Sequence, residues 1–450
     1  MTAQRNLLIV LAHGLRSDCL EDERAWPLPT PKMQQLARRG LRLTLTAATP
    51  ADPGGLVSLL GGRHARQHGY VRDDQPLTTL PEGLPTWLAD AGYHTVGVGE
   101  VGALAHRLHE AVVTEAVAVA EPPPNRCWYT AAARSRGHGP ALAQQRRQRL
   151  RGGPLAPDRL LLAPEEDLDG FIADQAGEAL ARLPEDRPWA MFVVFSGPGN
   201  DLPPPVGFDR LVDAAPLGRG FVPASLPQID ALCEPELPRA VLQRLEPHHV
   251  ARVRADYLGR VALIDQRLGQ MQTQLQSRSD ADRTWTCLAA DRGQMLGESG
   301  LLGHRTLLAP AIEVPLILSP PTNRPMPVDP ATTGDGLYST VDLAPTLAAL
   351  AGADRPLDLP GRSLLPLLQG RPVLPQTAAN LAEFHGRLAV ETERHKALFR
   401  VDDRRCTALF DLVADPEEKV NLIDRPGQET RRLVRHMRLH LAHTLMPLRA

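Results

Sequence analysis

His13, Asp52, Glu100, Asp291 and His304 are side chains of the types that ligate divalent cations or carry protons, yet they are scattered along the chain with no recognisable ligand spacing. Asp52 is also of the type that serves as a carboxylate nucleophile in phosphoryl and glycosyl transfer, but no neighbouring arginine, paired metal ligands or identifiable base accompanies it. Placed before Pro53, Gly54 and Gly55, it equally suits the N-cap of a helix carrying Leu59 and Leu60. Asp291 and Arg292, adjacent in the chain, suit a turn closed by an ion pair. His13 suits a hydrogen-bonded residue after a buried strand, and His304 a loop surface. Ser58 falls where a helix faces inward as packing, and no Gly-x-Ser-x-Gly elbow, Walker loop or Gly-x-Gly-x-x-Gly fingerprint lies between a strand and a helix.

Chemistry of any kind needs a scaffold, and 450 residues with 43% hydrophobic composition suffice for one large domain and a smaller appendage. A formal net charge of -2 gives no electrostatic pull towards nucleic acid or an anionic membrane. The arginines at 146, 147, 149 and 151 read as a solvated face rather than a binding patch. Lysine is confined to Lys32, Lys396 and Lys419 while Arg, Ala and Pro abound, a bias of G+C-rich coding, as in many bacteria, that carries no function. Five dispersed cysteines show no ligand spacing and imply reduced thiols in a cytoplasmic protein. The apolar run 7–12 is too short to cross a membrane, lacks a following cleavage site and reads as a strand.

That run (LLIVLA) has the continuous apolar character of a strand buried on both faces of a parallel sheet. Thr30 and Pro31 open a helix to about 39, with Thr30 as its N-cap. A helix over 84–91 stops at Gly92 before a strand at 95–98. Residues 127–164, rich in Arg, Gly and Pro, read as an irregular insertion. A helix over 168–183 and a strand over 190–195 follow, then a long amphipathic helix over 250–271 marked by Val253, Tyr257, Val261, Ile264, Leu268 and Met271. Strands at 285–290 and 314–318 precede a helix at 342–351 ending at Gly352. This alternation predicts an α/β layered fold, a mainly parallel sheet between helices, over residues 1–375. Residues 376–450 predict a small α+β subdomain, with short antiparallel strands at 388–392, 397–401 and 408–411 and a basic helix at 429–445.

Residues 6–16 (NLLIVLAHGLR), 58–63 (SLLGGR), 92–95 (GYHT), 257–269 (YLGRVALIDQRLG) and 290–298 (ADRGQMLGE) form an ordered series that resembles the sulfatase family of the alkaline phosphatase superfamily. Residues 6–16 are similar to its opening strand, 40–44 to its next turn, and 92–95 to the stretch leading into its Gly-Lys-Trp-His motif. Residues 257–269, 290–298, 338–352, 360–364 and 409–422 continue the series, and 58–63 matches the tail of the nucleophile motif. The head of that motif, Cys or Ser, any residue, Pro, any residue, Arg, falls on residues 52–56 (DPGGL), so the resemblance puts Asp52 at the nucleophile and Leu56 at the arginine.

The resemblance implies a divalent cation held by carboxylates, and it places the ligand positions at His13, Gly14, Asp291 and Arg292. Only Asp291 retains a ligating group, since a guanidinium repels a cation. It further implies charge-stabilising Lys and His residues, at whose positions stand Glu100, Gly102, Gly199 and His304. Asp52, Glu100 and Asp291 would then converge, and Arg292 with His13 or His304 would supply the positive charge a metal normally gives. The expectation is a sulfatase-like protein without catalysis or cofactor, binding a small anionic ligand or a protein partner such as a related active protein. The alternative is a rebuilt hydrolase of sulfate or phosphate/phosphonate esters using one divalent cation, Ca or Mg, among His13, Asp52, Glu100, Asp291 and His304.

Overall fold

The computed structural model describes residues 5–445 apart from 21–25, 74, 76–81, 103–106, 114–126, 153–154, 156–160, 324–335, 374–378 and 426. Along the chain come β1 (Asn6–Ala12), β2 (Leu41–Thr46), β3 (His94–Gly99), β4 (Glu110–Val113), β5 (Trp189–Phe195) and β6 (Thr284–Ala289). A two-stranded ribbon of β7 (Met295–Leu296) and β8 (Leu302–Gly303) precedes β9 (Glu313–Ser319). Seven of these form one sheet in the order β2-β9-β6-β1-β5-β3-β4. Only β9 runs against its neighbours, so the sheet is mixed but mainly parallel. β1 sits in the middle and every one of its residues is buried, which is why its sequence shows no polar alternation.

The helix Pro247–Gln276 lays Tyr257, Leu258, Val261, Ile264 and Leu268 into the core, at the spacing of one helical face. Its Asp265 reaches the start of the helix Pro31–Arg39 and accepts from the backbone amides of Lys32 and Met33 at 3.0 and 2.8 Å. The expected Thr30 cap is therefore replaced from another helix; the Thr30 hydroxyl donates to the Cys19 carbonyl instead. Residues 40–44, expected as a turn, are largely β2, which pairs antiparallel with β9. The stretch 127–164, expected to be irregular, contains the helices Trp128–Ser135 and Gly139–Gly152. Arg147 is exposed on the second, and the side chains of 146, 149 and 151 lie outside the described residues.

The C-terminal part is an antiparallel meander of β10 (Asn380–Phe384), β11 (Arg387–Glu391), β12 (His395–Arg400) and β13 (Cys406–Asp411). The helix Gln428–Leu445 closes one face, with Met437 and Leu441 buried against Leu388, Val390, Phe399 and Leu409. β10 had no expected counterpart. Among the described residues no helix is long and apolar enough to cross a membrane.

Candidate functional site

Four adjacent parallel strands end level with one another, as their pairing shows: Leu11 beside Ala289, Ala12 beside Phe195, Gly99 beside Val194. The carboxyl edge of such a sheet is where α/β proteins assemble sites, because each chain leaves the sheet there and its first loop residues face one another. Here those residues are Asp291 after β6, His13 after β1, Ser196 after β5 and Glu100 after β3.

They form a buried charge network. His13 Nδ1 lies 2.9 Å from Asp291 Oδ2, and Arg292 Nη1 donates to the same oxygen at 2.8 Å. His13 Nε2 is 3.6 Å from Glu100 Oε2. Burial disfavours the His13 imidazolium, but the charge and hydrogen bond of Asp291, aided by Glu100 and opposed by Arg292, raise its pKa to about 9. Burial alone would raise Asp291; His13 and Arg292 overturn it and hold the carboxyl well below the usual range. Glu100 lacks so close a cation, and burial pushes it up to about 7, with His13 and a Ser196 hydrogen bond opposing and the charge of Asp52 adding to the rise. Asp52 and Asp73 both favour the Arg292 cation.

The helix Gly54–Gly61 packs its start directly on this network. A Cβ on Gly55 would stand 3.1 Å from both Cβ and Oδ2 of Asp291 and 2.8 Å from the Thr49 carbonyl, so the approach requires glycine. Leu56 is buried in the hydrophobic core. This corrects the register of the motif by one residue. The family's proline is Pro53, so the arginine position is Gly55, facing Asp291, and the nucleophile position is Ala51, a fully buried methyl. Asp52 is the variable residue between them. Nor is it the helix cap: Pro53 occupies the N-cap, and the Asp52 amide donates to Asp73 Oδ1 at 2.9 Å.

Gly14 and Gly199 stand back to back. Gly14 adopts φ +79°, a Cβ on it would lie 2.6 Å from the Gly199 Cα, and the Gly199 amide donates to the His13 carbonyl at 2.9 Å. Gly102 is exposed in the turn after Glu100. His304 lies in a second, outer cluster, bridging Glu236 from Nδ1 at 3.0 Å and Asp73 from Nε2 at 3.3 Å. Both ring nitrogens thus face carboxylates. Against burial, the charge of Glu236, opposed by Arg292, and hydrogen bonds to Asp73 and Glu236 raise the ring to about 9, so it is an imidazolium at neutral pH. Arg305 Nε holds the other oxygen of Asp73 at 2.8 Å.

These donors do not suit a divalent cation. The one retained carboxylate spends Oδ2 on two cationic donors, two expected ligand positions carry no side chain or a guanidinium, and the Gly14–Gly199 contact leaves no room for another. Among the described residues no group of three or more His, Cys, Asp or Glu side chains is set to hold a metal. Glu100 Oε1, Asp291 Oδ1, Gln294 Oε1, Asn200 Nδ2 and Arg292 Nε are buried without protein partners, capacity that small polar molecules such as water can satisfy.

A Ser–His pair also lies nearby, unanticipated from the sequence: Ser58 Oγ is 2.8 Å from His68 Nε2. Burial lowers His68 to about 4, leaving the ring neutral, and its Nδ1 accepts from the Tyr70 amide at 3.2 Å. Nε2 therefore carries the proton and donates to Ser58, whose hydroxyl donates on to Thr49 Oγ1 at 3.3 Å. A general base needs the opposite tautomer. Asp73, Glu236 and Ser196 come from loops and turns and His68 from the end of the short helix Ala65–His68, and no spacing signal in the chain marks them.

The profile of the Sulfatase family matches residues 5–353, and that of the N-sulphoglucosamine sulphohydrolase C-terminal region matches 297–445. The chain is 25% identical to a choline-sulfatase of Rhizobium meliloti (strain 1021) over 448 residues, covering 94% of this chain and 83% of that protein. In structure it resembles the phosphonate monoester hydrolase of Agrobacterium radiobacter, with a TM-score of 0.79 at 19% identity over 98% of this chain and 96% of the other. The phosphonate monoester hydrolase of Silicibacter pomeroyi gives a TM-score of 0.77 at 21% identity over 99% and 96%.

Proposed function

The chain belongs to the sulfatase family, whose relatives are ester hydrolases of sulfate and phosphonate, and from that premise we propose that it is a non-hydrolytic member that acts by binding. The observation that carries this reading is the occupancy of Asp291: His13 and Arg292 hold one oxygen of the only carboxylate that survives from the ligand set. The nucleophile position is a buried alanine methyl, and the nearby serine accepts a hydrogen bond from its histidine and donates its own proton to Thr49, so the histidine is not set to act as its base. The network instead ties together the loops after β1, β3 and β6. A cytoplasmic setting, and a small anionic ligand or a related protein as partner, belong to the same proposal.

The test is turnover. Purified protein is assayed on aryl sulfate, phosphate diester and phosphonate monoester substrates with Ca, Mg or Mn, beside Asp291→Asn. The expected result is no turnover above buffer. Metal-dependent hydrolysis by the wild type that disappears in the variant overturns the proposal in favour of a rebuilt metal-dependent hydrolase.

A further inference from the structure

A cavity of about 710 Å³ opens between the C-terminal helix Gln428–Leu445, the β11–β12 turn and the segments carrying Tyr338 and Arg362. It lies apart from the charge network. β10 and β11 meet the side of the Asp52 and Asp73 loops at one end, where Glu383 and His385 donate to the carbonyls of Ala48 and Val71. Their opposite end, where Asn380 pairs with Glu391, leads into the turn at the cavity. Five strand residues separate the two by roughly 15 Å.

The lining is one-sided in chemistry. Arg362, Arg394 and Arg432 reach it from three different elements, and His395, His436 and His440 add three imidazoles. Glu393 is the one carboxylate among the described lining residues. Other acids stand beside the cations without lining the cavity: Asp411 holds Arg394 at 3.0 Å with His395 at 3.9 Å, Asp342 is 3.9 Å from Arg362, and Glu429 is 3.9 Å from Arg432. The His436 and His440 rings, one helical turn apart, meet edge to face at 4.6 Å. Leu337, Tyr338 and Leu433 supply apolar wall, and the volume falls within the range of small-molecule sites.

We propose that this cavity is a binding site for a compact ligand bearing sulfate or phosphate groups. Guanidinium forks match such oxyanions, and imidazoles bind them more tightly once protonated. His395 is held below the usual imidazole range by burial, with Asp411 opposing and Arg394 and His436 adding to the fall, so an anion at the site favours the proton the ring otherwise releases. The site needs nothing from Asp291 or His13 and stands whether or not the central network hydrolyses an ester.

Calorimetric titration of the full chain with a trisulfated heparin-type disaccharide, and separately with inorganic pyrophosphate, tests the proposal and distinguishes a sulfated from a phosphorylated source. At about pH 6, where imidazoles take up protons, at least one probe binds, and the double variant Arg432→Ser/His436→Ser weakens it by about tenfold or more. Arg435→Ser, on the same helix but outside the cavity, leaves affinity unchanged. Hydrogen exchange on the wild type with the bound probe slows in the 392–395 turn and along 432–440, a reading that needs no variant to fold. Absence of binding by both probes, equal loss in Arg435→Ser, or protection confined elsewhere overturns the proposal.

Discussion

Arg292 donates to Asp291, its neighbour in the chain, across 2.8 Å inside a site where both side chains are buried. A carboxylate in this position gains its hydrogen bonds from cations that are themselves desolvated. Removing one member of such a set costs more than never having built it.

Asp291→Ala therefore leaves His13 and Arg292 buried together without their shared counter-charge. Urea unfolding is expected to show a loss of about 3–5 kcal/mol. Replacing His13, Asp291 and Arg292 together by apolar residues of similar volume costs much less, because no orphaned charge remains. A single-variant loss below about 1 kcal/mol shows that the network does not hold the loops.

Because Asp291 Oδ2 is held by two protein cations that would repel a metal ion, thermal unfolding is expected to be the same in Ca, Mg or a chelator. Specific binding of a cation to the folded state at a hundredfold excess over its Kd adds about 2.7 kcal/mol, which a melting curve resolves as a shift of several degrees. A shift of that size that Asp291→Asn abolishes contradicts the fit described for this site.

Restoring the carboxylate that the family resemblance expects at Gly14 should not restore a metal site. Gly14→Asp places its Cβ 2.6 Å from the Gly199 Cα at a φ of +79°. Overlap and backbone strain together are expected to destabilise the protein by about 2–4 kcal/mol without gain of metal affinity, as read by unfolding and metal titration.

A second buried charge cluster sets a pH dependence. Lys396, fully buried on β12, lies 2.7 Å from Glu418 and 3.6 Å from Glu391, close to Glu313 at the start of β9. Three carboxylates share one ammonium where the C-terminal sheet meets the central one. Burial raises Glu313 to about 7, with Lys396 opposing and Glu391 and Glu418 adding to the rise. A carboxyl that is harder to ionise in the folded state penalises folding increasingly as pH climbs from its unfolded value to about 7, and the penalty is then constant. Glu313→Gln should accordingly gain on the wild type between about pH 4.5 and 7, by an amount of order 3 kcal/mol. Unfolding midpoints of both proteins across that range check the sign; a difference that is flat with pH contradicts it.

Much of this fold could be read from the chain because its elements carry strong local signals: the unbroken apolar run of β1, and the three-and-four spacing from Val253 to Met271. The strand β2 is legible in LRLTLT, whose apolar and polar residues alternate as in a half-buried edge strand; the resemblance, which implied a turn there, drew the reading away from it. The helices inside 127–164 were hidden by the glycines and prolines around them, although their own alanine, glutamine, leucine and arginine favour helix. At the site, the resemblance located His13, Glu100, Asp291 and Arg292 because each follows a strand. It slipped by one residue at Asp52, although Pro53, the motif's own proline, already sets the register that the packing of Gly55 against Asp291 agrees with. Asp73 and Glu236 reach His304 from loops distant in sequence, and nothing local announces such a meeting.

The contact between Gly14 and Gly199 also bears on the paths open to this lineage. A side chain on either residue collides with the backbone of the other, so neither position can be rebuilt first. A carboxylate introduced at one position therefore has to wait for the backbone at the other to move away, so the two glycines hold each other in place as a latch does, whatever task the protein performs.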